Sequence, residues 1–417
     1  MKSYLIVGIV FLVIIAFLAS NKKLRETLKN IYKIEELRKR VGYTLLLLLV
    51  YRLGCFVVIP GINPNLLGEG SALASQMENN SLLGLLNVFS GGAFANAAIF
   101  ALGVMPYITA SIIIQLLGIM IPYFQKMQKE GESGRRKMNQ WTRFLTIGVL
   151  MLQGPTYVAN LHHQIPQAFV YGNTVLFTIY ATVILIAGTM FIMWLGEKIT
   201  DKGIGNGVSL IIMIGIVARL PHALLAEVNA RFNAGGTGGP LMIIVELVLL
   251  FLVFMATIAI VQAVRKVPVQ YAKRIVGNKQ YGGVRQYIPL KMNAANVMPI
   301  IFAQALMFIP MLFSTVAPRF AGAFADMTGF WYNFTLAVLV IAFTYFYTAI
   351  IINSQMMADD MKRNGGFIPG VKPGKATVNY IDNIMTRITL PGSIFLAIVA
   401  ILPALAMKFL NIQQAFA

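Results

Sequence analysis

Long apolar runs separated by short polar breaks dominate the chain. A helix that crosses a bilayer needs roughly 20 mostly apolar residues, and many of these runs approach that length. The pattern therefore predicts a polytopic bundle of membrane-spanning helices in which each polar break is a loop. The predicted spans are 4–19, 43–59, 97–121, 143–158, 174–196, 207–220, 242–262, 297–316, 331–353 and 388–408.

The composition agrees with this pattern. Of the 417 residues, 58% are hydrophobic and 12% are charged, and soluble domains typically carry about twice that charged fraction. An ordinary water-soluble enzyme is therefore excluded. The single cysteine, Cys55, also excludes an internal disulfide and a cysteine-based metal cluster.

The distribution of charge predicts the orientation of the spans. Lysine and arginine outnumber aspartate and glutamate by 34 to 15, for a net charge of +19. Such an excess would suggest a nucleic-acid partner in a soluble protein, but cations near spans also collect on the cytoplasmic side. Every second break is basic, whereas the other breaks contain only Arg231 and Arg319. The breaks predicted to be cytoplasmic are 21–42, 122–142, 197–206, 263–296 and 354–386.

The spans offer no chemistry typical of an enzyme. No nucleophile with a neighbouring base, pair of carboxylates or metal-binding cluster falls within them, and GVKPGKAT at 370–377 has the wrong glycine spacing for a phosphate-binding loop. We therefore expect no catalysis, no cofactor and no metal. A secondary transporter is the alternative, although ion-coupled transporters usually have ionisable groups near mid-membrane, and among the acidic residues only Glu246 lies in a predicted span.

The stretch 81–96, SLLGLLNVFSGGAFAN, differs from the other apolar runs. It is uncharged, at least half apolar, and interrupted by Gly91 and Gly92. These features favour a short helix that enters the membrane from outside without crossing it, and irregular backbone at that depth needs protein or a water-filled cavity around it. A cavity is thus suggested, with a surface loop as the alternative. Nearby, Arg52 lies past the midpoint of span 43–59 and is long enough to extend toward the external surface.

Several long motifs are more specific than composition or periodicity. They are ALGVMPYITASIIIQLL at 101–117, KEGESGRRK at 129–137, MWLGEKITDKGIGNGVSLII at 193–212, QYAKR at 270–274, YIPLKMNAANVMPIIFA at 287–303 and GGFIPGVKPGKATVNYIDNIMTRITL at 365–390. In this order they resemble the signatures of the SecY family of protein-conducting channel subunits, and the resemblance covers about residues 22–417.

The resemblance implies an all-α, clamshell-like bundle of two pseudo-symmetric halves, 22–220 and 221–417. It implies a passive, gated pore that passes unfolded polypeptides across a bacterial inner membrane and releases apolar segments laterally into the bilayer. Residues 1–21 match nothing in the family and are predicted to be an extra membrane anchor, and the chain stops after the ninth family span. One hypothesis is that this extra helix occupies the tenth position.

The resemblance also assigns a pore ring, which must seal against ions yet yield to a passing chain. Val104 and Ile108 are four residues apart, as are Val208 and Ile212, so each pair shares a helix face. Taken alone, such pairs more often face lipid or a packed core. By motif position, these four residues and Ile301 correspond to the ring.

A plug and a lateral gate are implied in the same way. The plug, which closes the external funnel, corresponds to Leu83, Leu86, Val88, Phe89, Gly91 and Gly92, with the two glycines as a flexible turn. Its lack of charge fits, because a plug that leaves an apolar constriction must not abandon a buried ion. The lateral gate corresponds to Thr109, Ser111 and Gln115. The alternative for these three residues is hydrogen bonding between helices, which is common in any bundle.

The loops 263–296 and 354–386 are long for a compact membrane bundle and carry clustered cations. In SecY-like proteins such loops dock the ribosome or the SecA motor, so the resemblance assigns one contact surface to each loop. Phosphates of ribosomal RNA would make the first contact salt-sensitive. The residues assigned are Arg265, Lys266, Lys273 and Arg274 in the first loop and Lys372 in the second.

Lys372 departs from the arginine of the family pattern P-G-x-R-P-G. Lysine keeps the charge but loses the forked geometry of a guanidinium, which weakens the case for motor coupling at this position. The simpler alternative is that the loop cations only set the topology. The remaining partners that the resemblance implies are the small subunits SecE and SecG, polypeptides that carry signal sequences, and membrane lipids.

Overall fold

The structure is a computed structural model of the whole chain. It describes residues 33–67, 90–170, 174–218, 220–233, 239–271, 274–276, 279–281, 285–307 and 329–410, with the isolated positions Glu26, Lys29, Asn30, Asn87 and Phe324. The chain divides into two compact units, with the boundary between Ala226 and Glu227. The predicted span 4–19 lies outside the described residues.

The described part of the first unit is helical, and its last helix runs across the unit boundary. In chain order its helices are α1 (Glu35–Gly54), α2 (Met105–Met120), α3 (Pro122–Lys129), α4 (Glu132–Gln164), α5 (Thr174–Lys202), α6 (Gly207–Val217) and α7 (Leu220–Asn233), with short 3-10 turns at Pro64–Leu66 and Pro166–Ala168.

Local chemistry explains where several of these helices begin. Pro106 lies in the first turn of α2, where its missing N–H costs nothing, and the preceding Gly103 has a φ of 56°. Gly131 has a φ of 71° and separates α3 from α4. The Asn206 side chain accepts a hydrogen bond from the Ser209 N–H at 3.2 Å and so caps α6.

Residues 55–59 and 97–104 depart from the predicted spans, because the chain there is not helical. Span 43–59 ends as a helix at Gly54, and span 97–121 becomes helical only at Met105. The two non-helical segments pair instead, through hydrogen bonds of 2.9 Å from Ile59 N to Ala97 O and from Ile99 N to Val57 O. This pairing places the segment after Gly92 beside the end of α1.

The core of the first unit lies where α4 and α5 meet that paired segment. Leu185, Val158 and Ala97 are among its buried members. Gly188 on α5 permits the close approach, since a Cβ atom there would lie 2.1 Å from the carbonyl oxygen of Ile99. The predicted loop 122–142 is itself helical, because α3 and the start of α4 occupy most of it.

The second unit combines apolar helices with short strands. Its described helices are α8 (Gly239–Gln262), α9 (Met298–Leu306), α10 (Phe330–Ile351), α11 (Ser354–Arg363) and α12 (Lys375–Leu410), and its strands are β1 (Val264–Tyr271), β2 (Arg274–Val276), β3 (Lys279–Tyr281), β4 (Arg285–Lys291) and β5 (Gly366–Phe367). One buried cluster joins α9, α10 and α12 through Ala303, Val340 and Leu396.

The two loops predicted to face the cytoplasm in this unit fold into one small α/β layer. A three-stranded antiparallel sheet has the order β4-β1-β5, with Val267 opposite Ile288 and Gln270 opposite Phe367. Val269 and Met361 are buried in the core between this sheet and the helices α11 and α12. A separate hairpin pairs β2 with β3. The strands were not predicted from sequence.

Among the described residues, five helical stretches are long and apolar enough to cross a membrane, and α2 and α6 are shorter apolar helices. The five are Glu132–Gln164, Thr174–Lys202, Met242–Gln262, Phe330–Arg363 and Lys375–Lys408. The predicted class, a helical polytopic membrane protein, is therefore confirmed, and the small sheets are an addition to it.

Candidate pore, plug and docking surfaces

The residues assigned to the pore ring lie on the helices α2, α6 and α9 or directly before one of them. Val104 caps α2, and the Ile108 N–H donates to its carbonyl at 3.0 Å, so the two side chains are one turn apart and both are buried. Val208 and Ile212 are one turn apart on α6 and partly buried. These four belong to the first unit, whereas Ile301 is partly buried on α9 of the second.

Val208 packs closely against α5. A Cβ atom at Gly196 would lie 3.0 Å from a methyl carbon of Val208, so the absence of a side chain there lets the two helices meet. The start of α6, with its apolar side chain, is thereby held against a long membrane-crossing helix. This contact fixes the position of one assigned ring residue.

The residues assigned to the lateral gate form hydrogen bonds within α2. The Thr109 hydroxyl donates to the Met105 carbonyl at 3.1 Å, and the Gln115 amide donates to the Ser111 hydroxyl at 3.4 Å. All three assigned side chains are partly buried. Both bonds lie within α2, so Thr109 and Gln115 have hydrogen-bond partners without a neighbouring helix.

Of the residues assigned to the plug, Leu83, Leu86, Val88 and Phe89 lie outside the described residues. Gly91 and Gly92 are buried and have φ values of 66° and 92°, which favour glycine. Their turn is an ordered, hydrogen-bonded unit in this structure. Gly92 N donates to Asn87 O at 2.8 Å, and Ala95 N donates to the Asn87 side-chain oxygen at 3.0 Å. Ser90 completes the turn, since its hydroxyl accepts from Phe94 N at 3.1 Å.

Two side chains that sequence analysis did not assign to the site hold this turn. Arg52 of α1 donates from Nη1 to the Gly91 carbonyl at 2.6 Å. Tyr157 of α4 donates from its hydroxyl to the Phe94 carbonyl at 2.9 Å, and the two rings meet edge to face with centroids 4.8 Å apart. The one sequence signal for Arg52 was its charge within an apolar span, and Tyr157 gave none.

The residues assigned to the docking surfaces are exposed where their side chains are described. Arg265 and Lys266 lie on β1, and Lys372 follows β5. Arg274 begins β2, and Lys273 lies outside the described residues. Because β1 pairs with β5, the structure joins the two loops in one sheet instead of separating them.

Comparison with known proteins gives the family. The model of the SecY family matches residues 98–416. A protein translocase subunit SecY from Halalkalibacterium halodurans is 42% identical over 406 residues, which cover 93% of this chain and 91% of that relative. The chain belongs to the SecY family. Another SecY relative, from Aquifex aeolicus, is 39% identical and covers 94% of this chain and 92% of its own length.

Solved structures share the SecY fold with this chain. One, described as a protein-conducting channel, has a TM-score of 0.58 at 17% identity and covers 91% of this chain and 87% of its own. The Sec61 channel of a canine ribosome-channel complex has a TM-score of 0.53 at 15% identity, with the same coverage. At these identities the likeness concerns the fold.

Proposed function

We propose that this chain is the pore-forming subunit of a Sec translocation channel, and that it is a passive channel, not an enzyme. It passes unfolded polypeptides across a bacterial inner membrane and releases apolar segments laterally into the bilayer. The observation that carries the proposal is the 42% identity, over 93% of the chain, to a relative named protein translocase subunit SecY.

An apolar constriction suits this task physically. A ring of aliphatic side chains excludes hydrated ions because a narrow hydrophobic constriction loses its water, and it offers a passing polypeptide no polar group to bind. Val104, Ile108, Val208, Ile212 and Ile301 are proposed to form this ring. Thr109, Ser111 and Gln115 on α2 are proposed to line the lateral gate, where their local hydrogen bonds let the helix separate from a neighbour without leaving these groups unsatisfied.

The segment that ends in the turn at Gly91 and Gly92 is proposed to be the plug. Its turn contacts α6, the helix that carries Val208 and Ile212, because a Cβ atom at Gly91 would lie 3.0 Å from the Cα atom of Gly215. This contact supports the proposal that the segment closes the external side of the ring.

The small α/β layer is proposed as the docking site for cytoplasmic partners. Arg265, Lys266 and Lys372 are exposed on or beside one sheet, so a single partner can contact both loops. The proposed partners are the ribosome and the SecA motor here, SecE and SecG beside the channel, and signal-sequence polypeptides and lipids at the lateral gate. Contacts to ribosomal phosphates would weaken as salt rises.

The test is conductance across a planar bilayer that contains the chain reconstituted with SecE. We expect a closed baseline that opens when a synthetic signal peptide is added. Ile212→Ser should raise the baseline conductance, because a hydroxyl in the ring favours water. Met213→Ser is the matched control, since Met213 is 49% exposed and adjacent on the same helix. A folded chain without conductance in either state would contradict the proposal.

A further inference from the structure

Arg52 places a positive charge on an apolar helix. Its neighbours include Leu49 and Leu53 on α1 and Phe56 just beyond the end of α1, each more than half exposed in the structure, as expected for side chains that face lipid. A charged group at membrane depth is costly unless it has partners within the protein. The contacts of this guanidinium therefore indicate what the charge is for.

The guanidinium has two described contacts. Nη1 donates to the Gly91 carbonyl at 2.6 Å, and a charged donor forms a stronger hydrogen bond than a neutral one. The Cζ atom also lies 4.9 Å from the centroid of the Phe56 ring, four residues further along the chain and just beyond the end of α1. The Phe56 ring thus covers a guanidinium that is directed at the turn of the proposed plug.

Gly91 lies between the Arg52 guanidinium and α6. A Cβ atom at Gly91 would lie 3.0 Å from the Cα atom of Gly215 on α6 and 3.3 Å from Nη1 of Arg52. The turn is therefore held between the arginine and the helix that carries Val208 and Ile212. Loss of the arginine contact would remove the charged hydrogen bond at Gly91 and let the turn move away from α6 more often.

The two sides of the glycine pair are held by different chemistry. After Gly92, the chain is held by the neutral hydroxyl of Tyr157 and by backbone bonds to Val57 and Ile59. At Ser90 and Gly91, the strong contact is the charged one from Arg52, beside a longer bond of 3.5 Å from the Tyr51 hydroxyl to Ser90 O. The side that leads into the plug thus depends on Arg52.

We propose that Arg52 anchors the turn at Gly91 and Gly92 against α6, and that the strength of its bond to the Gly91 carbonyl sets how readily this turn moves and the closed channel begins to leak. This inference rests on the proposed channel function. Arg52 is a positioning residue, because it acts on the seal through the turn at Gly91 and Gly92 and does not itself line the assigned ring.

The native cysteine reports on this contact directly. Cys55 is the only cysteine of the sequence, is 1% exposed, and has its sulfur 3.9 Å from the Ser90 carbonyl oxygen. Displacement of the turn would uncover this sulfur. The rate at which N-ethylmaleimide labels Cys55 in the full chain, reconstituted with SecE in vesicles, therefore measures how often the turn leaves its place.

Arg52→Met keeps the length of the side chain and removes its charge and donors. We expect labelling of Cys55 to become about tenfold faster or more, because a hydrogen bond from a charged group changes an equilibrium by roughly that factor. Arg52→Lys should give an intermediate rate, since lysine keeps a donor but does not stack flat on Phe56. The matched control is Arg40→Met on the same helix, which removes an exposed arginine paired with Glu36 and should leave the rate unchanged.

Phe56→Leu is a second variant in case Arg52→Met does not fold. It weakens the stacking contact alone and should raise the labelling rate by a smaller factor of about two to five. If both the Arg52 and Phe56 variants fold and label at the rate of the unchanged chain, Arg52 does not anchor the turn and the inference is wrong.

Conductance separates this inference from the function on which it rests. If the unchanged chain opens with signal peptide and Arg52→Met raises the baseline conductance, both are supported. If the unchanged chain opens but Arg52→Met has the same baseline and the same labelling rate, the inference is overturned and the channel function stands. If the folded, unchanged chain never conducts, the proposed function fails, and the anchor role fails with it even if labelling changes.

Discussion

Replacing Tyr157 by phenylalanine tests how firmly the segment after Gly92 is attached to α4. The substitution removes one hydroxyl and keeps the ring, so the edge-to-face contact with Phe94 at 4.8 Å remains. The bond that is lost runs from the Tyr157 hydroxyl to the Phe94 carbonyl at 2.9 Å, and Tyr157 is only 5% exposed. The variant therefore isolates a single buried hydrogen bond.

The expected loss of stability depends on the hydrogen bonds that the Phe94 carbonyl keeps in the variant. A buried carbonyl left without any partner costs about 1–3 kcal/mol. The Phe94 carbonyl also accepts from the Ala97 N–H at 3.3 Å, so it keeps one partner after the hydroxyl is removed. The expected loss is thus the net value of one hydrogen bond, about 1 kcal/mol.

The assay is reversible unfolding in mixed micelles titrated with sodium dodecyl sulfate, followed by circular dichroism. Tyr345→Phe is the matched control, because its hydroxyl donates to the Thr386 carbonyl over a longer distance of 3.3 Å at an exposed site. We expect that control to change stability by less than about 0.5 kcal/mol. Equal effects of the two substitutions, or no measurable loss for Tyr157→Phe, would refute the assignment of Tyr157 as a support of this segment.

Three further experiments test contacts that place the helices of the first unit. Nη2 of Arg143 on α4 donates to both carboxylate oxygens of Glu197 on α5, at 2.6 and 2.7 Å. A double-mutant cycle with Arg143→Met and Glu197→Gln should therefore give a coupling of about 0.5–1 kcal/mol that falls at high salt, and a coupling insensitive to salt would contradict this. Asn206→Ala should lower stability by about 1 kcal/mol through loss of the cap of α6, and an unchanged unfolding midpoint would speak against that cap. Gly188→Ala should lower the free energy of unfolding by about 2 kcal/mol or more, because its Cβ would lie 2.1 Å from a backbone oxygen. In the control Gly148→Ala the new Cβ meets nothing within 4 Å, so that substitution should be neutral or stabilising. Similar effects at both sites would be inconsistent with the close approach at Gly188.

The hydrophobic pattern predicted the membrane-crossing helices better than it predicted the segments between them. Apolar runs predicted both ends of α8 and α10 within three residues and the start of α5, because a membrane-crossing helix satisfies its own backbone and needs only a long apolar sequence. α5 continues six residues beyond its predicted end, to Lys202. The predicted helical ends at 59 and 97 were wrong. There the backbone of Val57 and Ile59 pairs with residues about 40 positions away, and a local sequence pattern does not predict a partner so distant in the chain.

The strands show a different limit. β1 does alternate, with Val267 and Val269 buried on one face, but its interruption by Pro268 and its charged start weaken that signal. β5 is two residues long, and only its pairing with Gln270 and Tyr271 makes it a strand. A segment this short has no detectable period, so only the fold could join the two cytoplasmic loops in one sheet.

The sequence alone determined the class of the protein, its span pattern, its family resemblance and the residue types of the assigned ring. Each of these depends only on the hydrophobicity and the order of residues along the chain. It also showed that Arg52 places a charge on an apolar span, which is costly, and predicted that its side chain extends toward the external surface. Only the tertiary structure decided which group it binds. The partner of Arg52 is a backbone carbonyl 39 positions away, and every residue has such a group, so the choice of Gly91 depends on how α1, α6 and the turn pack together.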